Sequence, residues 1–525
     1  MYKKDEEQLL FFVFFVMRCV CVDTKASLFL YSCTIYPQAN FAKMPNFYEF
    51  YLTKLLIYVK IYFVLLFGKG VITLASNRGS FTGKLGFILA AAGSAVGLGN
   101  IWRFPYLAAK YGGGIFLLVY IILSVTFGFS LMIAEIAIGR KTGLSAIGAF
   151  KKLDKSFSFV GVLAAVVPVI ILPYYSVIGG WVMKYVVGFA TGLGGAMAEG
   201  KFFDNYIATV GEPLAWFALF IGITAVIVLF GVEKGVEKVS KVMMPVLVVL
   251  TVFIAVYTIC TMDGAWDGVL YYIMPDFSKF SMMTVVAAMG QLFYSMSLAM
   301  GIMITFGSYM KKDISIEKST HHIEIFDTGI AFLAGLMIIP AVFAFSGGDE
   351  SALGQGPGLM FVTLPKIFDT MPAGSVIGFA FFVMVFLAAL TSAISLMETI
   401  VSIVMDKLKL PRKISCVIVL AICLLLGIPS SLGYSAWDGV RILGMQFLDF
   451  FDFISNNIIM PVVAFVTCIV VGYVLKPKAI IDEVEESGRF KSKGLFAVVI
   501  KYVAPVCILL ILISSVLNAF GVITI

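Results

Sequence analysis

The chain has 525 residues, of which 61% are hydrophobic and only 13% charged, and its mean hydropathy is +1.02. Soluble domains have roughly 45–50% apolar and about 25% charged residues, so a soluble fold is excluded. Its net charge of +7 lies mostly in loops and does not predict a nucleic-acid-binding patch. Within lipid only helices and closed barrels satisfy the backbone, and the unbroken apolar runs favour helices. The sequence therefore predicts an all-α polytopic membrane protein.

Eleven apolar segments are long enough to be core transmembrane helices. They lie at 84–107, 114–138, 157–188, 214–231, 240–262, 282–307, 323–346, 374–405, 413–432, 448–475 and 495–520. The loops after even-numbered segments each hold three to five lysines or arginines, whereas the opposite loops hold one each. This bias predicts that the first core helix begins in the cytoplasm and that the C-terminus lies outside.

Residues 1–73 differ from the rest, because their two apolar stretches, 9–22 and 52–67, are short and the second contains two lysines. Two interpretations remain open. The segment is either an extension with two marginal membrane segments or upstream sequence translated from a wrongly assigned start. We favour the second, which makes 74–525 the core domain.

The cysteines and histidines do not predict a metal site. His321 and His322 are adjacent, which is a poor spacing for metal ligands, and we expect them to lie in a loop. The cysteines of the core lack any CxxC spacing and are expected to be small buried apolar side chains. They are Cys260, Cys416, Cys423, Cys468 and Cys507.

The first core segment contains a helix-weakening stretch at 93–100, GSAVGLGN. Each glycine costs a helix roughly 1 kcal/mol. Close packing through small residues would explain Gly93 and Gly97 but not the polar Asn100. We therefore predict that this helix is broken in the middle of the membrane.

The sixth segment has the same character at 291–301, QLFYSMSLAMG. Segments one and six begin two five-helix halves, 84–262 and 282–475, which an odd number of spans would invert relative to each other. Broken helices at matching positions of such a 5+5 repeat predict a binding site at the midplane. Unwound backbone offers carbonyls to cations and amides to an anion, which favours a transporter over a channel or a structural membrane protein.

Polar side chains in three other segments extend this prediction. Asp327 is a carboxylate in the seventh segment, and an intramembrane carboxylate is by default a functional candidate. Glu135 and Glu398 are expected to be interior hydrogen-bonding anchors. The hydroxyls of Thr391 and Ser392 either serve the site or bond to the preceding helical turn.

The stretch 84–120, KLGFILAAAGSAVGLGNIWRFPYLAAKYGGGIFLLVY, resembles the neurotransmitter:sodium symporter family, particularly its bacterial amino-acid carriers. The resemblance continues through GQLFYSMSL, DTGIAFLAGLMIIPAVF and AALTSAISLMETIVSIVMD and covers about 78 to 520. It implies two sodium ions. The first would bind the Ala95 carbonyl, Asn100, Ser295, Asp327 and the substrate carboxylate. The second would bind the carbonyls of Gly93, Val96 and Ala388 and the hydroxyls of Thr391 and Ser392.

The same resemblance implies a small amino-acid substrate. Its carboxylate would bind the amides of Leu98 and Gly99 and the hydroxyl of Tyr175. The remaining substrate-binding residues would be Ala95, Ile171, Tyr294, Ser295, Ser297, Met300, Ser392 and Leu396. These residues predict a neutral, hydrophobic or aromatic side chain.

Two positions bear on the kind of substrate and on chloride. Monoamine carriers of the family have an aspartate where this chain has Gly97, which favours amino acids over amines. Chloride-dependent relatives need an anion near the first sodium, and Asp327 can supply a fixed negative charge there. We therefore predict chloride independence.

The resemblance also implies gates on both sides of the membrane. Arg103 would pair outside with Asp449 or Asp452, of which we prefer Asp452. Inside, Arg78 would pair with Asp406. Phe81, Ser308 and Tyr309 would surround that pair, and Phe81 is expected to pack more weakly than the tryptophan typical of the family.

The sequence disfavours two alternative functions and leaves two others open. A channel would give no role to a closed pocket with apolar walls. An ATP-driven pump is disfavoured because the sequence lacks a phosphate-binding GxxxxGK[ST] motif. A receptor that binds its ligand without transporting it remains open, as does a carrier of another small zwitterion, and no enzyme activity is predicted.

Overall fold

The computed structural model describes residues 79–348 and 357–519. The predictions made for residues 1–73 and for Arg78 lie outside these described residues. Every regular element in the described residues is a helix, without β-strands, so the predicted all-helical fold is confirmed.

We number the helices α1 to α19 in chain order. Their bounds are α1 Lys84–Ala95, α2 Gly99–Lys110, α3 Gly114–Thr142, α4 Ala146–Leu153, α5 Lys155–Ala190, α6 Gly194–Ala198, α7 Phe202–Ile207, α8 Gly211–Leu229, α9 Val232–Thr261, α10 Ala265–Ile273, α11 Met282–Ser295, α12 Ile302–Ser308, α13 Ile316–Ser346, α14 Leu364–Thr370, α15 Gly374–Leu408, α16 Arg412–Leu432, α17 Phe447–Val474, α18 Lys478–Glu485 and α19 Lys493–Leu517.

Nine helices of the described region are long and apolar enough to cross a membrane: α3, α5, α8, α9, α13, α15, α16, α17 and α19. Helices α1 and α2 together form one further candidate span, bent by 54° at residues 96–98. Helices α11 and α12 occupy the sixth predicted segment, and neither is long enough to span alone. The total of eleven spans and the inverted repeat stay predictions.

Helix α13 begins seven residues before the predicted start at 323. The Ser315 side chain accepts a hydrogen bond from the Lys318 amide and thereby caps its first turn. His321 and His322 consequently lie in this helix, and their prediction as loop residues is wrong. The polar first turns lack the apolar character by which we located the segment, and His321 is held there by stacking on Phe129, with ring centroids 4.3 Å apart.

Helix α15 lies in the interior of the bundle. It packs along α5 and also against α1, α8 and α9. Its most apolar stretch is 72% buried, compared with 33% for the peripheral α19. This central position brings the hydroxyls of α15 next to the break between α1 and α2.

Large apolar side chains face outwards on the peripheral helices. Val242 and Val249, for example, are 63% and 66% exposed, which suits contact with lipid tails. Cys260 is also exposed, so its prediction as a buried residue is wrong, because it lies on the outward face of α9. Cys416, Cys423 and Cys468 are buried as predicted, and Cys507 is half-buried.

Candidate functional site

The first core helix is interrupted where the glycines predicted it. Helix α1 ends at Ala95, and Val96 takes an extended backbone conformation, with φ −73° and ψ 105°. Carbonyls of the last turn of α1 therefore lose their helical partners and become available to ligands. The break lies entirely among buried residues.

The second interruption separates α11 from α12 at residues 296–301. Ser297 and Ala299 have positive φ angles of 53° and 61°, which cost non-glycine residues roughly 1–2 kcal/mol each. The buried carboxylate of Glu135 accepts a hydrogen bond of 2.7 Å from the Ala299 amide. Glu135 is thus a hydrogen-bonding anchor of the interior, as predicted, and it stabilises the unwound backbone.

Hydrogen bonds join the two interruptions directly. The Ser297 hydroxyl donates to the Ser94 carbonyl at 2.9 Å, and the two serine hydroxyls lie 3.1 Å apart. On the other side, the Gln291 side-chain amide donates to the Gly99 carbonyl at 3.0 Å. The two breaks therefore face each other across one site.

The predicted residues of the first cation site lie together. Asp327 is fully buried, and its Oδ1 accepts hydrogen bonds from Ser295 at 2.6 Å and from Asn100 at 2.8 Å. The Asn100 oxygen in turn accepts from the Gly97 amide at 3.0 Å. Tyr120, which the sequence did not single out, donates to the other Asp327 oxygen at 3.2 Å.

The atoms of this cluster that could bind a cation are oxygens. The cluster carries one negative charge, that of the Asp327 carboxylate. Asp327 forms no ion pair with any residue that the structure describes. Amide, hydroxyl, carbonyl and carboxylate oxygens suit a hard cation. Among residues 79–348 and 357–519, no group of three histidine, cysteine, aspartate or glutamate side chains could hold a softer metal ion.

A second set of oxygens surrounds Ser392 on α15. Its hydroxyl lies 3.2 Å from the carbonyls of Ser94 and Val96 and 3.4 Å from that of Gly93. Thr391 donates instead to carbonyls of its own helix, at 3.0 Å to Leu387 and 3.1 Å to Ala388. Of the two hydroxyls, only that of Ser392 contacts the carbonyls of the α1 break directly.

A buried cavity connects both oxygen clusters. It measures about 30 Å³, and its lining includes every residue that we assigned to the substrate. It is lined by Ser94, Ala95, Gly97, Leu98, Gly99, Asn100, Ile171, Tyr175, Tyr294, Ser295, Ser297, Met300, Ile302, Ser392 and Leu396. Ser94 and Ile302 were not predicted to line it, although both immediately follow a glycine of a break.

One wall of the cavity is a polar corner at the start of α2. The Leu98 amide donates a hydrogen bond of 3.3 Å to the Tyr175 hydroxyl. A Cβ atom on Gly97 would lie 2.8 Å from the Ser392 hydroxyl and 3.0 Å from that of Tyr175. A side chain at position 97 would therefore occupy this corner, and glycine leaves it open.

The outer gate residues are close to the cavity but not directly paired. The Arg103 guanidinium lies over the Tyr294 ring, 5.5 Å from its centroid. The Asp452 carboxylate accepts hydrogen bonds from Tyr174 at 2.9 Å and Asn456 at 2.7 Å. No direct ion pair between Asp452 and Arg103 is present in the described residues. Pairing of the gate stays a prediction.

On the opposite side, Asp406 accepts hydrogen bonds from the backbone and side chain of Ser145, at 3.0 Å and 2.6 Å. Its predicted partner Arg78 lies outside the described residues. Ser308 donates to a carbonyl of its own helix, and the Tyr309 carbonyl accepts a 3.2 Å bond from the Phe81 amide.

Phe81 is closely packed in the structure, whereas its comparison with the tryptophan typical of the family stays a prediction. Its ring is fully buried and makes edge-on contacts with Phe87, Phe306 and Tyr309, with centroids 5.5–6.2 Å apart. Three aromatic side chains therefore surround the Phe81 ring, and phenylalanine fills this position.

Glu398 is the second predicted interior anchor. Its carboxylate accepts a 2.9 Å hydrogen bond from the Tyr309 hydroxyl and forms an ion pair with Arg412. Helices α15 and α16 and the segment after α12 are thereby joined, and the prediction of an anchor is confirmed.

The sequence of the chain matches that of a known protein family. A sequence model of the sodium:neurotransmitter symporter family matches residues 78–205 and 196–522, which together are most of the chain. The chain belongs to this family. It is accordingly a multi-pass membrane protein of a family of sodium-dependent symporters, as the resemblance in the first core segment implied.

Individual relatives are of similar length. The chain is 33% identical to the uncharacterized sodium-dependent transporter YhdH of Bacillus subtilis, over 84% of this chain and 97% of the relative. It is 32% identical to an uncharacterized sodium-dependent transporter of Haemophilus influenzae, over 84% and 98%. A crystal structure of MhsT in complex with L-phenylalanine matches with a TM-score of 0.76 and 37% identity, covering 84% of this chain and all of that one.

Proposed function

We propose that this symporter couples the inward movement of sodium to the uptake of a neutral amino acid with a hydrophobic or aromatic side chain. One observation carries the proposal: Ala95, Asn100 and Ser295, assigned to the first sodium site, also line the cavity assigned to the substrate. A sodium ion and a substrate carboxylate would therefore be direct neighbours.

The polar corner of the cavity fits a carboxylate. The amides of Leu98 and Gly99 lie at the beginning of α2, where the helix dipole and N–H groups without a helical acceptor favour an anion. Tyr175 would donate its hydroxyl to the same group. Two sodium ions are proposed, one at Asp327 and one at Ser392, and both would be transported with the substrate.

The rest of the cavity is apolar, which supports the proposed side-chain class. It is lined here by Ile171, Met300 and Leu396, which are buried, and by Tyr294, which is half-buried. None of them carries a charge that could pair with a charged substrate side chain. The likeness to MhsT, crystallised with L-phenylalanine, supports an apolar or aromatic ligand.

Transport would proceed by alternating access. The cavity of about 30 Å³ holds about two water molecules rather than an amino acid, so substrate binding requires lining side chains to move. Each ligand can drive the cycle only by binding one state better than another. A carboxylate shared between the substrate and the first sodium ion supplies the coupling between the two ligands.

The orientation follows from the distribution of charge. Basic loops favour the cytoplasmic side, so the inner gate at Phe81 and Asp406 would face the cytoplasm. The gate at Arg103 and Asp452 would face outward, in the inner membrane of a bacterium.

Replacing chloride by gluconate is expected to leave sodium-driven uptake unchanged. Asp327 already provides a buried negative charge beside the first cation cluster, so no mobile anion is needed to balance sodium. Uptake into proteoliposomes should be compared in the two media at equal sodium. A collapse of uptake in gluconate would contradict the assignment of Asp327 as the balancing charge.

The function itself is tested with a panel of amino acids on the purified protein. Thermal stability is measured with each amino acid, in sodium and in potassium. We expect stabilisation by phenylalanine, tryptophan, tyrosine, leucine or isoleucine in sodium only, and none by lysine or glutamate. Stabilisation that ignores sodium would contradict coupling. A receptor without transport would show the same stabilisation but no counterflow of labelled substrate.

A further inference from the structure

A second cavity, of about 380 Å³, lies between the beginnings of α1 and α13 and is independent of the transport site. Three lysines line it: Lys84, Lys311 and Lys318. We refer to it as the lysine pocket. A volume of this size falls within the range of small-molecule sites.

The positive charge of the lysine pocket is only partly compensated by the residues that line it. None of its three lysines forms an ion pair with a carboxylate in the part of the chain that the structure describes. Lys311 donates to the neutral Thr82 carbonyl, at 3.0 Å. Asp313 is the one acidic residue of its lining, so the lining residues carry two net positive charges.

Neighbouring lysines on the same side behave differently. Lys241 lies 2.6 Å from Glu237, and Lys312 lies 2.7 Å from Glu483 and 2.8 Å from Glu486. Each of these lysines is neutralised within the protein. The three lysines of the pocket are kept together without that neutralisation, which an anionic ligand would supply.

The back of the pocket is built on a buried framework. Arg140 pairs with Glu483 at 2.8 Å, and both side chains are almost fully buried. The same guanidinium donates to the Ile314 carbonyl at 2.8 Å and to the Ser487 hydroxyl at 3.2 Å. Ile314 and Ser487 line the pocket, so its shape is fixed by the fold rather than by mobile surface side chains.

The apolar exterior begins beside the pocket. Leu85 directly follows Lys84 and is 61% exposed, and Ile325, about two turns beyond Lys318, is 69% exposed. Both are exposed apolar side chains close in sequence to the pocket lysines, and they suit contact with lipid tails. A headgroup in the pocket could therefore leave its acyl chains against this surface.

We propose that the lysine pocket binds a phosphate group, supplied by the headgroup of an anionic phospholipid in the adjoining leaflet. Basic pockets between transmembrane helices on the cytoplasmic side suit such headgroups, and each nearby lysine adds attraction to an anionic lipid. Inorganic phosphate offers the same chemistry without acyl chains, and the experiment distinguishes these two sources.

The test is native mass spectrometry of the full-length protein in detergent, titrated with phosphatidylglycerol or with phosphatidylcholine. The pocket variant carries Lys84→Gln, Lys311→Gln and Lys318→Gln. We expect it to bind phosphatidylglycerol about 100-fold more weakly, because each lysine contributes roughly a fivefold preference. Phosphatidylcholine should bind weakly to both proteins.

Two matched variants control for net charge and folding. The first replaces Lys151, Lys155 and Lys413 by glutamine, which removes three exposed lysines elsewhere on the basic side. The second replaces the three pocket lysines by arginine. Both should bind phosphatidylglycerol as the unmodified protein does.

Equal binding by the glutamine pocket variant and the unmodified protein would overturn the proposal, as would equal weakening in the Lys151 control set. Displacement of the lipid by millimolar inorganic phosphate, lost in the pocket variant, would retain the phosphate site but make free phosphate its source. Loss of lipid binding in the arginine variant would also overturn it, because the positive charges remain.

Discussion

Replacing Asp327 by asparagine is expected to lower sodium-dependent amino-acid uptake at least 100-fold. The carboxylate is fully buried and holds Ser295 and Asn100 at 2.6 Å and 2.8 Å. Asparagine keeps nearly the same volume but removes the negative charge that would balance a sodium ion. Loss of one partner of a buried charge pair costs about 3–5 kcal/mol, which corresponds to a factor of 100 or more.

Sodium-dependent thermal stabilisation of the purified variant measures its sodium binding directly, without requiring transport. Asp204→Asn serves as the control, since Asp204 is an exposed carboxylate away from the cavity. It should keep both uptake and sodium stabilisation. Normal sodium affinity in the Asp327→Asn protein would remove Asp327 from the cation site.

Replacing Glu135 by alanine is expected to destabilise the protein by about 2–3 kcal/mol and to abolish amino-acid binding. Its carboxylate accepts the Ala299 amide at 2.7 Å, in a stretch where Ser297 and Ala299 have positive φ angles. Alanine would leave a buried N–H without a partner and would release the unwound backbone that carries Ser297 and Met300 into the cavity.

Glu135→Gln separates the hydrogen bond from the charge. The glutamine oxygen can still accept the Ala299 amide, so most of the stability and binding should remain. Melting temperature and sodium-dependent ligand binding are measured for both variants. If alanine and glutamine behave alike, the hydrogen bond to Ala299 does not hold the second broken helix.

Local sequence was sufficient to find the two broken helices. Glycines and short polar side chains at mid-membrane depth weaken helical backbone wherever they occur, and the helices do stop at Ala95 and Ser295. The substrate residues carried over from the family all line one cavity, including those of α5 and α15, which lie outside the two breaks.

Contacts between distant helices could not be found in this way. The bond between Glu135 and Ala299, the serine pair Ser94–Ser297 and the Tyr120 contact to Asp327 join residues 164 to 207 positions apart. Nothing in the local pattern of either partner specifies the other. The position of Glu135 within an apolar segment predicted that it would be an anchor. Only the packed helices show that it holds the Ala299 amide.

Helix ends were predicted wrongly where polar residues take the place of the apolar residues that mark a membrane helix. The first turns of α13 contain the two histidines and charged residues, so they resembled a loop until the Ser315 cap and the stacking of His321 on Phe129 were visible. Similarly, the Arg103–Asp452 gate was expected as a direct pair. The structure instead shows Asp452 hydrogen-bonded to Tyr174 and Asn456, and these contacts depend on side-chain placement in three dimensions.

Sodium-coupled amino-acid transport is tested most directly by the uptake of labelled phenylalanine and leucine into proteoliposomes that contain the purified protein. With sodium outside and potassium inside, we predict saturable accumulation above the external concentration. With sodium equal on both sides, only equilibration should occur. Accumulation that is the same with and without the sodium gradient, or no uptake of any neutral amino acid, would contradict sodium-coupled amino-acid transport.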